Sequence, residues 1–341
     1  MDDNKSEKPS LKIIEWNINC CKITSEKHKK WAKIAHCIND INPDILVLTE
    51  CGESFNCDNF KQLLDDSSNW DIQVNKDDKH IDDNYNFIAI LVNKKNFEKI
   101  KIERLDFQKT FCKGNERAKI HPDRIAVKIT LNNTDITILG VRMLTSFKGD
   151  EKNNLRILEQ RILQNIQLVH DIQALEPDII IGDFNTCSEM ESLNIYNAAT
   201  WKNKNIIWEG KGKERKLKPK FCKWNEWLNN LVESNENYTD VLANFCNLIG
   251  SENKKYQYWA GDKRTPFSYK PIRSNISTAP DTLIWRSEPS EDDNVKPNPR
   301  YYPEIVQGQK PSVVVKDWPS DHCMLIADIE IPSKQHLAED S

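Results

Sequence analysis

Polar residues able to handle a phosphate or a hard cation fall at the ends of apolar runs. Asn17 and Asn19 follow residues 11–16, Glu50 follows 44–49, and Asp183 and Asn185 follow 178–181. Asp281 opens the run at 282–285, and Asp321-His322 precedes the run at 324–329. The inventory is carboxylates, side-chain amides and one histidine, with no thiolate pair and no multiple-histidine set. Oxygen donors of this kind suit Mg2+ or Mn2+ rather than zinc. Mg2+ takes one or two protein carboxylates and leaves positions for water and phosphate oxygens, the coordination that phosphodiester hydrolysis needs. An isolated Asp at a strand end is more often a turn former or a cap, so the weight lies in the series.

Such a series needs rigid elements to hold it, strand ends above all. Residues 11–18 read as a strand. Residues 27–41 read as a helix with Trp31, Ile34, Ala35, Ile38 and Ile41 on one face, stopped by Asn42-Pro43. Residues 44–49, 87–92, 124–131 and 135–141 read as strands. The longest helix is expected at 150–175, with Leu155, Leu158, Ile162, Ile166, Val169 and Ile172 on its core stripe. Pro177 ends it, and the strand 178–181 runs into Gly182-Asp183-Phe184-Asn185. The stretch 186–264 is less regular, with a helix candidate at 221–232. Strands at 267–270, 282–285 and 324–329 close the chain, and the proline-rich, charged segment 292–303 reads as a loop. No repeat and no linker stands out. The expected organisation is a tail at 1–10, one α/β domain at 11–331 with an elaborated insertion at 186–264, and a tail at 332–341.

Composition narrows the class. The 341 residues carry 48 Lys and Arg against 52 Asp and Glu, a formal net charge of -4. A polyanionic partner must therefore meet a local basic patch, not a globally cationic surface. No apolar run approaches the roughly 18 residues that span a bilayer, and residues 1–10 lack the apolar core of a secretory signal. The ten cysteines include adjacent Cys20 and Cys21 but no C-x-x-C pair, which disfavours structural zinc. Free thiols and a reducing cytoplasm are the expectation.

The ordered series W-N-I-N, L-T-E, G-D-F-N, P-D-T-L-I-W and S-D-H resembles the endonuclease/exonuclease/phosphatase superfamily, the fold of DNase I and the abasic-site endonucleases. The resemblance covers residues 11–331. It implies a four-layer α-β-β-α sandwich of two mainly antiparallel sheets flanked by helices. It also implies metal-dependent phosphoester hydrolysis with Mg2+, or Mn2+. In this resemblance Glu50 matches the metal-binding Glu and Asn17 the Asn that supports metal and phosphate. Asp183 matches the Asp that orients or deprotonates the attacking water, and Asn185 the amide that holds the scissile phosphate. His322 matches the phosphate-contacting His, and Asp281 the carboxylate that fixes its tautomer. Asp321 matches the Asp beside that His, a metal-site or site-shaping residue. Asn19 stands where abasic-site endonucleases often have Asp. Arg142 stands where many relatives carry His or Tyr. A guanidinium there can neutralise a phosphate but cannot give up a proton. The plainer reading is a structural Arg paired with a carboxylate.

The substrate clue is the segment 201–224. Lys202, Lys204, Lys211, Lys213 and Arg215 lead its basic residues, with Trp208 and Trp224 among the interleaved aromatics. Basic side chains track a phosphate backbone while aromatics stack bases; a solvated basic loop with core-packed Trp is the alternative. Ser268, before Asp281, is a further candidate for the site lining. The chain lacks the Trp- and Arg-rich signatures of inositol polyphosphate 5-phosphatases. It also lacks the signal and disulfide pattern of secreted DNases and bacterial sphingomyelinases. The expected activity is that of an intracellular nuclease on DNA or RNA. The alternatives are a phosphatase acting on inositol phosphates or lipid headgroups, and a non-enzymatic binding protein. Membership of a larger nuclease system is compatible with the free thiols and elaborated loops. Oligomeric state is not written in the sequence.

Overall fold

The first strand, β1 (Ser10–Asn17), is buried along nearly its whole length, including both of its faces. Its apolar residues accordingly fall on both faces, Leu11 and Ile13 on one and Ile14 and Trp16 on the other. The computed structural model describes residues 10–18, 27–52, 57–75, 87–97, 100–105, 124–131, 134–143, 168, 171–172, 174–184, 208–209, 216–217, 256–259, 281–286, 296–302, 318–320 and 322–331.

After β1 come the helix α1 (Lys27–Ile41), β2 (Ile45–Cys51), the short α2 (Cys57–Lys61), β3 (Trp70–Val74) and β4 (Phe87–Asn93). Then follow β5 (Ile100–Leu105), β6 (Arg124–Leu131), β7 (Thr134–Arg142) and β8 (Ile179–Asp183). The short β9 (Trp208–Glu209) and β10 (Lys216–Leu217) pair with each other. They precede β11 (Tyr256–Trp259), β12 (Asp281–Arg286), β13 (Lys296–Tyr302) and β14 (Met324–Glu330).

Two six-stranded sheets result, ordered β13-β14-β1-β2-β4-β3 and β11-β12-β8-β7-β6-β5. Each is antiparallel except for one internal parallel pair, β1 with β2 and β7 with β8. Alternate residues of the strands build two cores. Leu11, Ile13, Val47 and Ile90 of the first sheet join Ile125, Val127, Ile138 and Ile181 of the second in one buried cluster between the sheets. Ile14, Trp16, Leu46 and Leu91 face the other way and join Trp31, Ile34, Ala35 and Ile38 of α1. The apolar face predicted for α1 is thus the face that packs on the sheet. The described helical residues between β7 and β8 include buried Leu168 and Ile172, and the rest of the helix expected at 150–175 lies outside the described residues. Gly140 lies where the sheets approach: a Cβ there would sit 3.3 Å from Ile125 and 3.4 Å from Ile90 and Val47.

The two parallel pairs are built alike. Helix α1 ends at Asn42 (φ 48), and the second crossover ends at Glu176 (φ 42). Their N–H groups bond the carbonyls of Ile38 and Ile172 respectively, the left-handed cap that closes a helix. Each is followed by Pro-Asp. The Asp44 carboxylate accepts from Lys12 N at 2.8 Å, and Asp178 accepts from Thr137 N at 2.8 Å. The N–H of each Asp returns a bond, to the carbonyls of Lys12 and Thr137. So the structure contains a repeat, where the sequence alone suggested none.

Residues 292–303, expected as a loop, include the strand β13. Among the described strands it pairs only with β14. Pro297 and Pro299 are two residues apart, so both present their nitrogen to the same side of the strand. An edge strand tolerates this when that side is not the paired one. The expected strand at 267–270 and helix at 221–232 lie outside the described residues.

Candidate active site

The parallel pairs end at the same place, and their last residues meet across the sandwich. Asn17 closes β1 and Asp183 closes β8. Asn17 Nδ2 donates to Asp183 Oδ2 at 2.7 Å, with both residues buried. Arg142 closes β7, and Glu50 lies at the end of β2. Arg142 Nη2 donates to Glu50 Oε1 at 2.8 Å, with the two side chains 12% and 13% exposed. Two polar bridges therefore tie the sheets together at one end of the sandwich.

The backbone aims these groups. At the end of β2 the register against β4 shifts between Leu48 and Cys51, and Glu50 adopts φ 56. A non-glycine residue in that region is strained, and a bulge of this kind re-aims its side chain. Burial works to push the Glu50 carboxyl up, but the Arg142 guanidinium, the nearby His322 and the Asn17 amide outweigh it. The carboxyl is held below its ordinary value. On the other sheet, Gly182 (φ 155) lets β8 approach β7 so closely that a Cβ would lie 1.9 Å from the Val141 carbonyl oxygen. Past that point Met143 N bonds Asp183 O at 2.9 Å, which fixes the backbone that carries Asp183.

His322 is held through its main chain. Its carbonyl accepts from Trp16 Nε1 at 3.0 Å and from Trp318 Nε1 at 2.7 Å. The two indole rings lie 5.0 Å apart. Its N–H donates to Ser320 Oγ at 3.1 Å, and the same hydroxyl donates to the Asn17 carbonyl at 2.5 Å. The segment before β14 is thereby fastened to the end of β1, near enough for His322 to help lower the Glu50 carboxyl.

No family model and no curated protein matches the sequence. Solved structures do match along nearly its whole length. Humanized D. rerio TDP2 aligns at 12% identity and a TM-score of 0.52, covering 94% of this chain and 98% of that one. D. rerio TDP2 complexed with single strand DNA product aligns at 12% identity and TM-score 0.51, over the same shares. An endonuclease/exonuclease/phosphatase family protein from Bacteroides thetaiotaomicron aligns at 14% identity and TM-score 0.50, covering 95% of this chain and 99% of that one. The chain has the endonuclease/exonuclease/phosphatase fold. The DNase I-like sandwich expected from the motif series is the one observed.

Within this fold the structure gathers five of the predicted site residues: Asn17, Glu50, Arg142, Asp183 and His322. Asp281 opens β12 opposite Asp183 in the register, and its side chain lies outside the described set, as does that of Trp208 in β9. Asn19, Asn185, Ser268, Asp321, Lys202, Lys204, Lys211, Lys213, Arg215 and Trp224 also lie outside the described residues. The arginine at 142 takes the plainer of its two expected arrangements, an ion pair with a carboxylate, and that carboxylate is Glu50 itself.

Sequence reasoning passed over Glu15, Thr49, Trp16, Trp318 and Ser320. Glu15 is fully buried and accepts from Thr49 Oγ1 at 3.1 Å. The signal was available: Glu15 precedes Asn17 by two, which puts both on one face of β1, and a charge inside an apolar strand is unusual. Among the described cysteines, Cys37, Cys51 and Cys323 are not joined in disulfides. No described helix is long and apolar enough to cross a membrane.

The donors present fit a hard divalent ion. Among the described residues no three His, Cys, Asp or Glu side chains form a metal-holding group. An ion that retains water needs only one or two carboxylates. Glu50 with the Asn17 amide supplies oxygen donors of that kind.

Proposed function

We propose that this protein is a divalent-metal-dependent phosphodiesterase acting on nucleic acid. The observation that carries the reading is the convergence of Asn17, Glu50, Arg142, Asp183 and His322, from both sheets, at one end of the sandwich. In this reading Glu50 holds Mg2+ or Mn2+ with support from Asn17 and Asp321. The bound ion would neutralise charge on the nonbridging phosphate oxygens. Asp183 orients the attacking water and takes its proton. Asn185, His322 and Arg142 hold the phosphate, and Asp281 fixes the tautomer of His322.

Nucleic acid is favoured as the substrate on two grounds. The basic, aromatic segment 201–224 suits a phosphate backbone with stacked bases. One structure of similar fold is D. rerio TDP2 with a single-strand DNA product. The test is a substrate panel with Mg2+, Mn2+ and EDTA. It includes single- and double-stranded DNA, RNA, abasic-site duplex and inositol phosphates. Metal-dependent cleavage of a nucleic acid, abolished in folded Asp183→Ala and His322→Ala variants, is the expected result. Activity retained in both variants refutes the site, and turnover of inositol phosphates alone refutes the substrate class.

A further inference from the structure

The Arg142–Glu50 pair places a full positive charge on the carboxylate that the proposed function assigns to the metal. At 2.8 Å, with both side chains nearly buried, water screens this pair little. A divalent ion arriving at Glu50 meets a guanidinium already there. Both backbones are held by their strands. Glu50 is fixed in its bulge at φ 56. Arg142 ends a strand paired with β8, and its neighbour Met143 is tied to Asp183 O at 2.9 Å. What can move is the arginine side chain. A phosphate offers a guanidinium the same forked geometry as a carboxylate, with at least as much charge.

We propose that Arg142 is the resident counter-ion of Glu50 and passes to a substrate phosphate when a divalent ion takes that carboxylate, so that metal and phosphate binding are coupled through Arg142. The inference rests on the proposed metal role of Glu50 and adds the coupling to it. Arg142 is in this respect a positioning residue: it sets how tightly Glu50 can hold a cation before substrate arrives. Alone, the protein binds the ion weakly. With a phosphate present, the guanidinium has an anion to receive it, and each ligand strengthens the other by the same factor, as linkage requires.

The experiment is a Mn2+ titration of the full chain followed by electron paramagnetic resonance. It is run with Mn2+ alone and with inorganic phosphate below its precipitation limit. In Arg142→Met the competing charge is gone, and Mn2+ alone should bind about tenfold more tightly than in the wild type. Arg142→Lys keeps a charge and should stay close to the wild type. Phosphate should tighten Mn2+ binding more in the wild type than in Arg142→Met, where only its direct contact with the ion remains. Arg142→Gln replaces the Met variant if circular dichroism shows that variant unfolded. Equal or weaker Mn2+ binding without the arginine overturns the inference, as does equal tightening by phosphate with and without it. Glu50→Gln separates the two levels. If it binds Mn2+ as the wild type does, the metal role of Glu50 fails and the coupling with it. If it loses Mn2+ while Arg142→Met gains nothing, only the coupling fails.

Discussion

Two glycines in the second sheet provide a quantitative test of how the site is built. A Cβ on Gly182 would sit 1.9 Å from the Val141 carbonyl oxygen and 2.8 and 2.9 Å from two further backbone atoms of Val141. Heavy atoms in ordinary contact sit about 3.5 Å apart, so Gly182→Ala must part β7 and β8 by roughly 1.5 Å. Bonds such as Met143 N to Asp183 O, at 2.9 Å, do not survive that opening. Steric overpacking costs about 1–3 kcal/mol. The φ of 155 adds strain of about 1–3 kcal/mol for an alanine. The expected loss is therefore about 2–6 kcal/mol, a large share of the stability of an ordinary domain. Gly140 is the control. Its Cβ would meet only the ends of the Ile125, Ile90 and Val47 side chains, at 3.3–3.4 Å, and these can shift. Alanine there also reduces the entropy of the unfolded chain by about 0.4–1 kcal/mol. Gly140→Ala should stay within about 1 kcal/mol of the wild type. Urea unfolding followed by tryptophan fluorescence measures both. Equal stabilities for the two variants would refute the close approach of β7 and β8 as the reason glycine precedes Asp183.

Two further perturbations address the polar bridges. Asn17→Ala removes the amide that holds Asp183 at 2.7 Å; steady-state hydrolysis should fall by roughly 10²-fold, with folding retained by circular dichroism. Trp318→Phe keeps a ring against Trp16 but removes one of the two donors to the His322 carbonyl, and should cost about 1 kcal/mol in urea unfolding. Adding Trp16→Phe should cost more than the sum of the single changes, because the two indoles share one acceptor.

The strands that position the site were legible because they are buried on both faces. Residues 45–48, 87–92 and 179–181 are unbroken apolar runs, residues 11–16 carry apolar side chains on both faces, and a polar residue ending such a stretch stands out. Edge strands gave no such signal. In β3 only Trp70 of five residues is fully buried. In β5 no residue is, so the alternation Ile-Lys-Ile-Glu-Arg-Leu carries little apolar weight. β13 was hidden by prolines that only an edge admits. The residues that fix His322 escaped for a different reason. They act through the main-chain carbonyl and N–H of residue 322, which have no side-chain identity to read. Ser320 and Trp318 look like ordinary loop residues until the chain brings them to Asn17 and Trp16.

The repeated strand–helix–Pro-Asp–strand unit accounts for the geometry of the site. In the first unit Asn17 ends the leading strand in register with Thr49, and Glu50 follows one residue later in the bulge; in the second, Arg142 ends the leading strand in register with Asp183. The bridges cross reciprocally. The leading-strand donor of each unit reaches the following-strand carboxylate of the other, Asn17 to Asp183 and Arg142 to Glu50. The backbone thus supplies two carboxylate positions, Asp183 in register with its leading strand and Glu50 one residue beyond the register partner of Asn17, and the bridging donors make them differ further. Asp183 meets a neutral amide, which in the proposed function suits it to orient a water. Glu50 meets a guanidinium, which in the proposed coupling offsets its charge until a cation arrives. Exchanging only the donors, as Asn17→Arg with Arg142→Asn, should therefore transfer the weak, phosphate-dependent Mn2+ binding away from Glu50. If Mn2+ binding in that double variant still depends on Glu50 alone and is coupled to phosphate as before, the charge of the bridging donor does not set the roles of the two carboxylates.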